Sequence, residues 1–211
     1  MKTAIIFGSS GLVGSTLLNQ LINNSNYSKI KIFVRSSPDI INPKVEIINT
    51  DFKDLEKIKN LIIGDDCFFC IGTTKKNSPD KNEYRRVELD LPKKIAQISK
   101  SNDIKSFIYV SSGFADPKNS GDYLKFKGLV EEEIKSLNFE KIGILRPSFL
   151  LGNRKEKRVG EKIGIFIFKL LSPIFVGPIK KMKPIHSEKV AKAMIKIANE
   201  NIKFKLSLCN F

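Results

Sequence analysis

The sequence has no tryptophan, one histidine, three cysteines and three methionines among its 211 residues. Cys67 and Cys70 form a C-x-x-C, but no second pair follows to complete a zinc site. They fall in Cys67-Phe68-Phe69-Cys70-Ile71, which reads as a buried strand, where residues three apart point to opposite faces. They are therefore expected as core residues, with no metal, and so few cysteines fit a reducing compartment. Long apolar runs are also missing at the start of the chain. Thr3-Ala4-Ile5-Ile6-Phe7 is too short for a signal sequence or a membrane span, so a cytoplasmic protein is expected. There is no internal repeat and no low-complexity linker, and the length suits one domain over residues 1–211.

Charge of one sign is abundant. Lysine and arginine number 37 against 22 acidic residues, for a net charge of +15. A basic excess of this size raises nucleic acid or an anionic membrane as partners. The lysines are spread along the chain, however, and the clusters Arg154-Lys155-Glu156-Lys157-Arg158 and Lys180-Lys181-Met182-Lys183 lack the interleaved aromatics of a single-strand groove. A solvated face, or attraction for an anionic cofactor or substrate, accounts for them better, and no specific nucleic acid is expected.

Short apolar runs alternate with helical periods, the mark of βαβ units and a parallel sheet. Strands are expected at residues 3–7, 31–34, 45–48, 67–71, 106–110 and 141–145. Helices are expected at 11–22, 82–101, 122–137 and 187–199, the last capped by Ser187. The fold class is α/β, a three-layer doubly wound Rossmann fold. After Leu145 come Pro147, Gly152, Gly160, Gly164, Pro173, Gly177, Pro178 and Pro184, which read as loops and short helices. This stretch, about residues 146–186, is expected to form the substrate side of the cleft.

The first strand runs into Gly8-Ser9-Ser10-Gly11-Leu12-Val13-Gly14 and then directly into a helix. Gly8 permits the tight turn, Gly11 lets backbone approach a pyrophosphate, and Gly14 allows close helix packing. The helix N-terminus adds free N–H groups and partial positive charge. Gly8, Ser10, Gly11, Leu12 and Val13 are the expected contacts to a dinucleotide. The second strand ends Val34-Arg35-Ser36-Ser37, where NAD binders usually carry an acid for the ribose 2′-hydroxyl. A guanidinium there suits a 2′-phosphate, so NADP(H) is expected over NAD(H). Gly72-Thr73-Thr74, at the end of the fourth strand, lets backbone approach the cofactor's ribose and pyrophosphate.

The fifth strand ends Val110-Ser111-Ser112-Gly113, and Tyr123-Leu124-Lys125-Phe126-Lys127 opens the next helix. Tyr123 and Lys127, four apart, share a helix face. A phenol is a poor base at neutral pH, and an ammonium one turn away favours its ionised form. Such a pair can pass a proton to a carbonyl oxygen or take one from an alcohol as hydride moves at a nicotinamide. Lys127 can also hold the nicotinamide ribose, and a strand-end serine can polarise the reacting oxygen. Ser112 is the choice, with Ser111 the alternative.

The G-x-x-G-x-x-G spacing, Phe69-Cys70-Ile71-Gly72-Thr73-Thr74, Arg86-Val87-Glu88, Tyr109-Val110-Ser111-Ser112, Tyr123-x-x-x-Lys127-Gly128-x-x-Glu131 and Leu145-Arg146-Pro147-Ser148-Phe149-Leu150-Leu151-Gly152 carry a resemblance over nearly the whole chain. The sequence resembles the Tat-interacting-protein-like oxidoreductases, a group of atypical short-chain dehydrogenase/reductases with many bacterial relatives. The resemblance implies that Asp51 and Phe52 lie against the adenine, and that Pro147 and Phe149 approach the nicotinamide. Where many extended relatives carry the catalytic hydroxyl after two serines, this chain has Gly113. The loop between Ser112 and Tyr123 is short beside those of sugar-nucleotide epimerases, which argues against a straightforward epimerase.

Three functions compete: an NADP-dependent oxidoreductase of an unidentified small carbonyl or alcohol, a non-catalytic NADP(H)-binding redox sensor or regulator, and, third, a sugar-nucleotide epimerase or dehydratase. The apolar run Gly164-Ile165-Phe166-Ile167-Phe168-Lys169-Leu170-Leu171 admits a pocket wall, a homo-oligomer interface or a peripheral membrane contact. Packing against the cleft or a subunit is the favoured reading. His186, just before the last helix, is expected to be structural.

Overall fold

The computed structural model describes residues 1–151 and 184–200, and the backbone of 205–210. The two basic clusters, the apolar run 164–171 and Cys209's side chain lie outside the described residues.

The chain runs β1 (Lys2–Phe7), α1 (Leu12–Ile22), β2 (Tyr27–Val34), β3 (Val45–Asn49), α2 (Glu56–Lys59), β4 (Asp66–Phe69), α3 (Lys81–Arg85), a π-helical turn (Arg86–Asp90), α4 (Leu91–Ser101), β5 (Ser106–Val110), α5 (Asp122–Ser136) and β6 (Lys141–Arg146). Then come β7 (Phe149–Leu151), β8 (Pro184–His186), α6 (Ser187–Asn199) and β9 (Lys205–Asn210). The main sheet has seven strands in the order β3-β2-β1-β4-β5-β6-β9, each pair parallel. Strand order reverses between β1 and β4, which are hydrogen-bonded neighbours. The connections that leave these two strands depart in opposite directions and open a crevice at their carboxyl ends.

Period-two alternation assigns each strand residue to a layer. Ile5, Phe7, Cys67, Phe69, Phe107 and Tyr109 face one side, where Ile95, Val130 and Ile134 of α4 and α5 cover them. Ala4, Ile6, Ile32, Phe68 and Ile108 face the other, covered by Leu17 and Leu21 of α1 and by Val190, Met194 and Ile197 of α6. Cys67 and Cys70 fall on opposite sides, as the strand reading requires; Cys67 lies in the first core and Cys70 packs against the second. Both thiols are free, and burial pushes Cys67 up to about 12.

Four features differ from the sequence expectation. The stretch after Leu145 contains a strand, β7, paired in parallel with β8, and β9 extends the main sheet. The last helix is capped by His186, whose side chain makes no cap bond, and Ser187 is its first residue. The Ser187 hydroxyl instead lies 3.1 Å from Thr16 Oγ1, joining α6 to α1. The expected helix 82–101 is interrupted by the π-helical turn, in which the Leu91 N–H donates to the Arg86 carbonyl. The cause is Pro92. A proline inside a helix has no N–H for the carbonyl four residues back, and its ring collides with that carbonyl. Here that carbonyl belongs to Glu88, and the widened turn takes up the collision.

No helix among the described residues is long and apolar enough to cross a membrane.

Candidate active site

The crevice is floored by the turn after β1. Gly8 has φ +89°, and a Cβ there would lie 2.8 Å from Cys70 C and Ile71 N, so the turn abuts the chain leaving β4. A Cβ on Gly14 would lie 2.0 Å from the Gly8 carbonyl oxygen, a contact no side chain permits. The close packing reserved for Gly14 is thus against the turn itself. Gly11 is the N-cap of α1, has no side-chain cap, and is exposed together with Ser10. The result is a shallow cradle of backbone at a helix N-terminus, the shape and charge that a pyrophosphate requires. Leu12 is half-buried at its rim. Val13 is 6% exposed and packs in the second core, so it can offer a ligand only its backbone.

At the β2 and β3 ends, Arg35 and Asp51 are exposed. Phe52 is not: its ring is buried, its centroid 6.3 Å from that of Phe7, and its backbone turns through φ 59°. Asp51, and not the Phe52 ring, is therefore open at this end of the sheet. Arg86 closes this end, its guanidinium donating to the Phe52 carbonyl at 2.9 Å and to both Glu83 carboxylate oxygens at 2.7 Å. Those hydrogen bonds hold the Glu83 carboxyl below its ordinary range, with Lys53 and Arg35 adding to the positive field. Glu83 therefore lies within the influence of three basic side chains.

At the β4 and β5 ends the structure brings Tyr123, Lys127 and Thr73 together. Tyr123 is 39% exposed, while Lys127, one turn along α5, is 3% exposed. Lys127 Nζ lies 5.8 Å from the Tyr123 ring centroid and 4.9 Å from that of Tyr109. It also makes a buried ion pair, 3.1 Å long, with Glu88 of the π-helical turn. The other Glu88 oxygen accepts from the Thr73 N–H at 2.5 Å. Burial works against the Lys127 ammonium, but the Glu88 carboxylate outweighs it, and Lys127 titrates well above the ordinary lysine range. Burial likewise raises the Tyr109 phenol. Gly72 leaves room here, because a Cβ would come within 3.4 Å of Glu88 Oε1. Thr73 Oγ1 lies 2.9 Å from Ser78 Oγ, and Thr74 caps the following turn by accepting from the Asn77 N–H.

The two serines differ. Ser111 donates to Glu131 Oε1 at 2.5 Å, and Glu131 is also paired with Arg146. Ser112 is 8% exposed and lies outside that network. Pro147 is buried, and its carbonyl accepts from the Gly113 N–H at 3.0 Å, which extends the ladder between β5 and β6 to the cleft. Phe149 begins β7, but its side chain lies outside the described residues. His186 is exposed, on the β8 side of α1 and α6.

Glu88, quoted above only as part of the Arg86-Val87-Glu88 motif, is a residue to which sequence reasoning gave no place in the site, and the structure sets it between Thr73 and Lys127. The available signal was Pro92, which marks a break in an otherwise helical period four residues on.

A parallel sheet reversing at β1 and β4, with a glycine cradle at the reversal, defines a Rossmann dinucleotide-binding protein. The NAD(P)H-binding family matches residues 8–201. The chain belongs to that family, among the atypical short-chain dehydrogenase/reductases. Protein HTATIP2 of Rattus norvegicus is 32% identical over 164 residues, covering 76% of this chain and 67% of that protein. Protein FMP52, mitochondrial, of Meyerozyma guilliermondii is 30% identical over 209 residues, covering 95% and 87%. Among solved structures, the Bordetella bronchiseptica enzyme WbmH in complex with NAD+ superposes with TM-score 0.71 at 15% identity, covering 94% of this chain and 73% of that one. Vestitone reductase from alfalfa gives 0.68 at 17% identity, covering 100% and 77%. At such identities the likeness shows the fold alone.

Proposed function

We propose that the protein is an NADP(H)-dependent oxidoreductase acting on a small carbonyl/alcohol pair. The observation that carries this reading is the placement of Tyr123 and Lys127 on one face of α5, beside the Gly72–Thr74 loop of a crevice that begins in the glycine cradle. The bound dinucleotide supplies hydride chemistry. In reduction, the Tyr123 hydroxyl gives its proton to the substrate's carbonyl oxygen, and in oxidation it takes the alcohol's proton back. Ser112 donates a hydrogen bond to the same oxygen. The engagement of Ser111 with Glu131 supports Ser112 over its neighbour. Lys127 holds a fixed positive charge beneath Tyr123.

NADP(H) is preferred because an exposed guanidinium, Arg35, stands at the β2 end where an NAD binder needs a carboxylate. Arg35→Ala is expected to weaken NADPH binding about 10- to 100-fold, the loss of charge-assisted bonds to one phosphate, and to leave NADH binding nearly unchanged. Fluorescence titration with both dinucleotides checks this. Equal loss for both would refute the 2′-phosphate assignment.

A second reading, a non-catalytic NADP(H)-binding regulator, is favoured by one observation: the Lys127 ammonium is buried against Glu88 rather than open to the cleft. We place the protein in the cytoplasm, a reducing compartment in keeping with its free thiols; the mitochondrial names belong to relatives.

A further inference from the structure

Three acidic side chains are buried among the described residues: Asp66, Glu88 and Glu131. Asp66 ties Lys2 and Tyr27 together at the amino end of the sheet, away from the crevice. Glu131 holds Arg146 and Ser111. Glu88 joins two parts of the site itself. We propose that Glu88 is its positioning residue, one carboxylate oxygen holding the Thr73 N–H and the other holding the Lys127 ammonium, so that the cofactor-side loop and the lysine are set as one unit.

The geometry argues for this from several directions. Glu88 Oε1 accepts the Thr73 N–H while Oε2, without a hydrogen bond, faces the Lys127 ammonium as an ion pair, and both partners come from other elements, the β4 end and α5. The backbone beneath Glu88 is fixed by the π-helical turn that Pro92 imposes. The side chains of Glu88 and Lys127 are 0% and 4% exposed, so neither charge is satisfied by water. An apolar pair of the same volume would fill this space with equal or better stability. A buried ion pair that also grips the loop is therefore better explained by placement than by stability. Gly72, the residue before Thr73, has no side chain to part the loop from the carboxylate. A dinucleotide drawn to this loop meets a backbone whose place is tied, through Glu88, to the buried Lys127 ammonium.

This inference rests on the cofactor-binding half of the proposed function, and the experiment separates the two. Glu88→Gln keeps an acceptor for Thr73 and removes the charge; Lys127→Met removes the other charge; the double variant removes both. Each single variant leaves one buried charge unmatched and is expected to lower Tm by on the order of 10 °C, most of which the double variant recovers. NADPH affinity, read by fluorescence titration, is expected to fall about tenfold in each single variant and to stay down in the double. Affinity that returns together with Tm in the double variant would make the pair merely structural and overturn the proposal. So would parental affinity in Glu88→Gln. The double variant carries the test where a single one does not fold. The Thr73 amide resonance gives a readout without cofactor: Lys127→Met is expected to displace it, as Glu88→Gln does, and an unmoved resonance would break the link. If the parent binds neither dinucleotide, the oxidoreductase reading fails and the Thr73 resonance still decides the role of Glu88.

Discussion

Gly14→Ala is expected to lower NADPH affinity about a hundredfold, with a fall in Tm of roughly 5 °C. The added Cβ would lie 2.0 Å from the Gly8 carbonyl oxygen and 2.7 Å from its carbon, with Ser9 Cα at 3.1 Å. None of these is a flexible side chain, so either the turn lifts or α1 moves. Overpacking of this kind costs about 1–3 kcal/mol, hence a few degrees in a chain of this size. Cofactor binding suffers more, because the turn's N–H groups are aimed by the backbone that must move. Losing two charge-assisted hydrogen bonds at about 1.5 kcal/mol each corresponds to the hundredfold effect. Thermal unfolding and NADPH titration of the same preparation check both numbers. Unchanged affinity in a variant of lowered Tm would mean that the cradle does not hold the pyrophosphate.

The second large effect belongs to turnover. Tyr123→Phe keeps the ring beside Lys127 and removes only the hydroxyl. General acid–base catalysis by one group contributes about 10²- to 10⁴-fold, so the variant is expected to lose that much in kcat once a carbonyl substrate has been identified by screening. NADPH affinity should be unchanged, since the ring and Lys127 remain in place. Turnover at the parental rate would remove Tyr123 from the mechanism. Under the regulator reading, the same variant changes neither cofactor binding nor partner binding, and no substrate of the parent is found.

The parts of this molecule that were legible in its sequence are the local ones. The turn after β1 declares itself because the strand, three glycines and an amphipathic helix are contiguous. α6 runs over Ser187–Asn199, the span expected from the period of Val190, Met194 and Ile197. Tyr123 and Lys127 share a face because four residues make about one turn. What was hidden depends on long-range packing. Val13 and Phe52 are named by their neighbours in the motif, yet the direction of each side chain is set by the core beneath it. β9 alternates Lys205-Leu206-Ser207-Leu208, a strand period in the sequence that the expected strands leave out, and its place in the sheet is set by the open edge of β6. The Glu88–Lys127 pair joins residues far apart in sequence through a helical turn whose register Pro92 changes, and helical periodicity assumes that register to be constant.

The ammonium expected one turn from Tyr123 is not alone. The lysine is charged because Glu88 faces it, so the field at Tyr123 is that of an ion pair and falls off more steeply than that of a lone cation.

Titration of the purified protein with NADPH and with NADH, followed by cofactor fluorescence, tests the central claim most directly. Saturable one-site binding, tighter for NADPH by about tenfold or more, is the result that the cradle and Arg35 predict; binding of neither dinucleotide would contradict the account at its base.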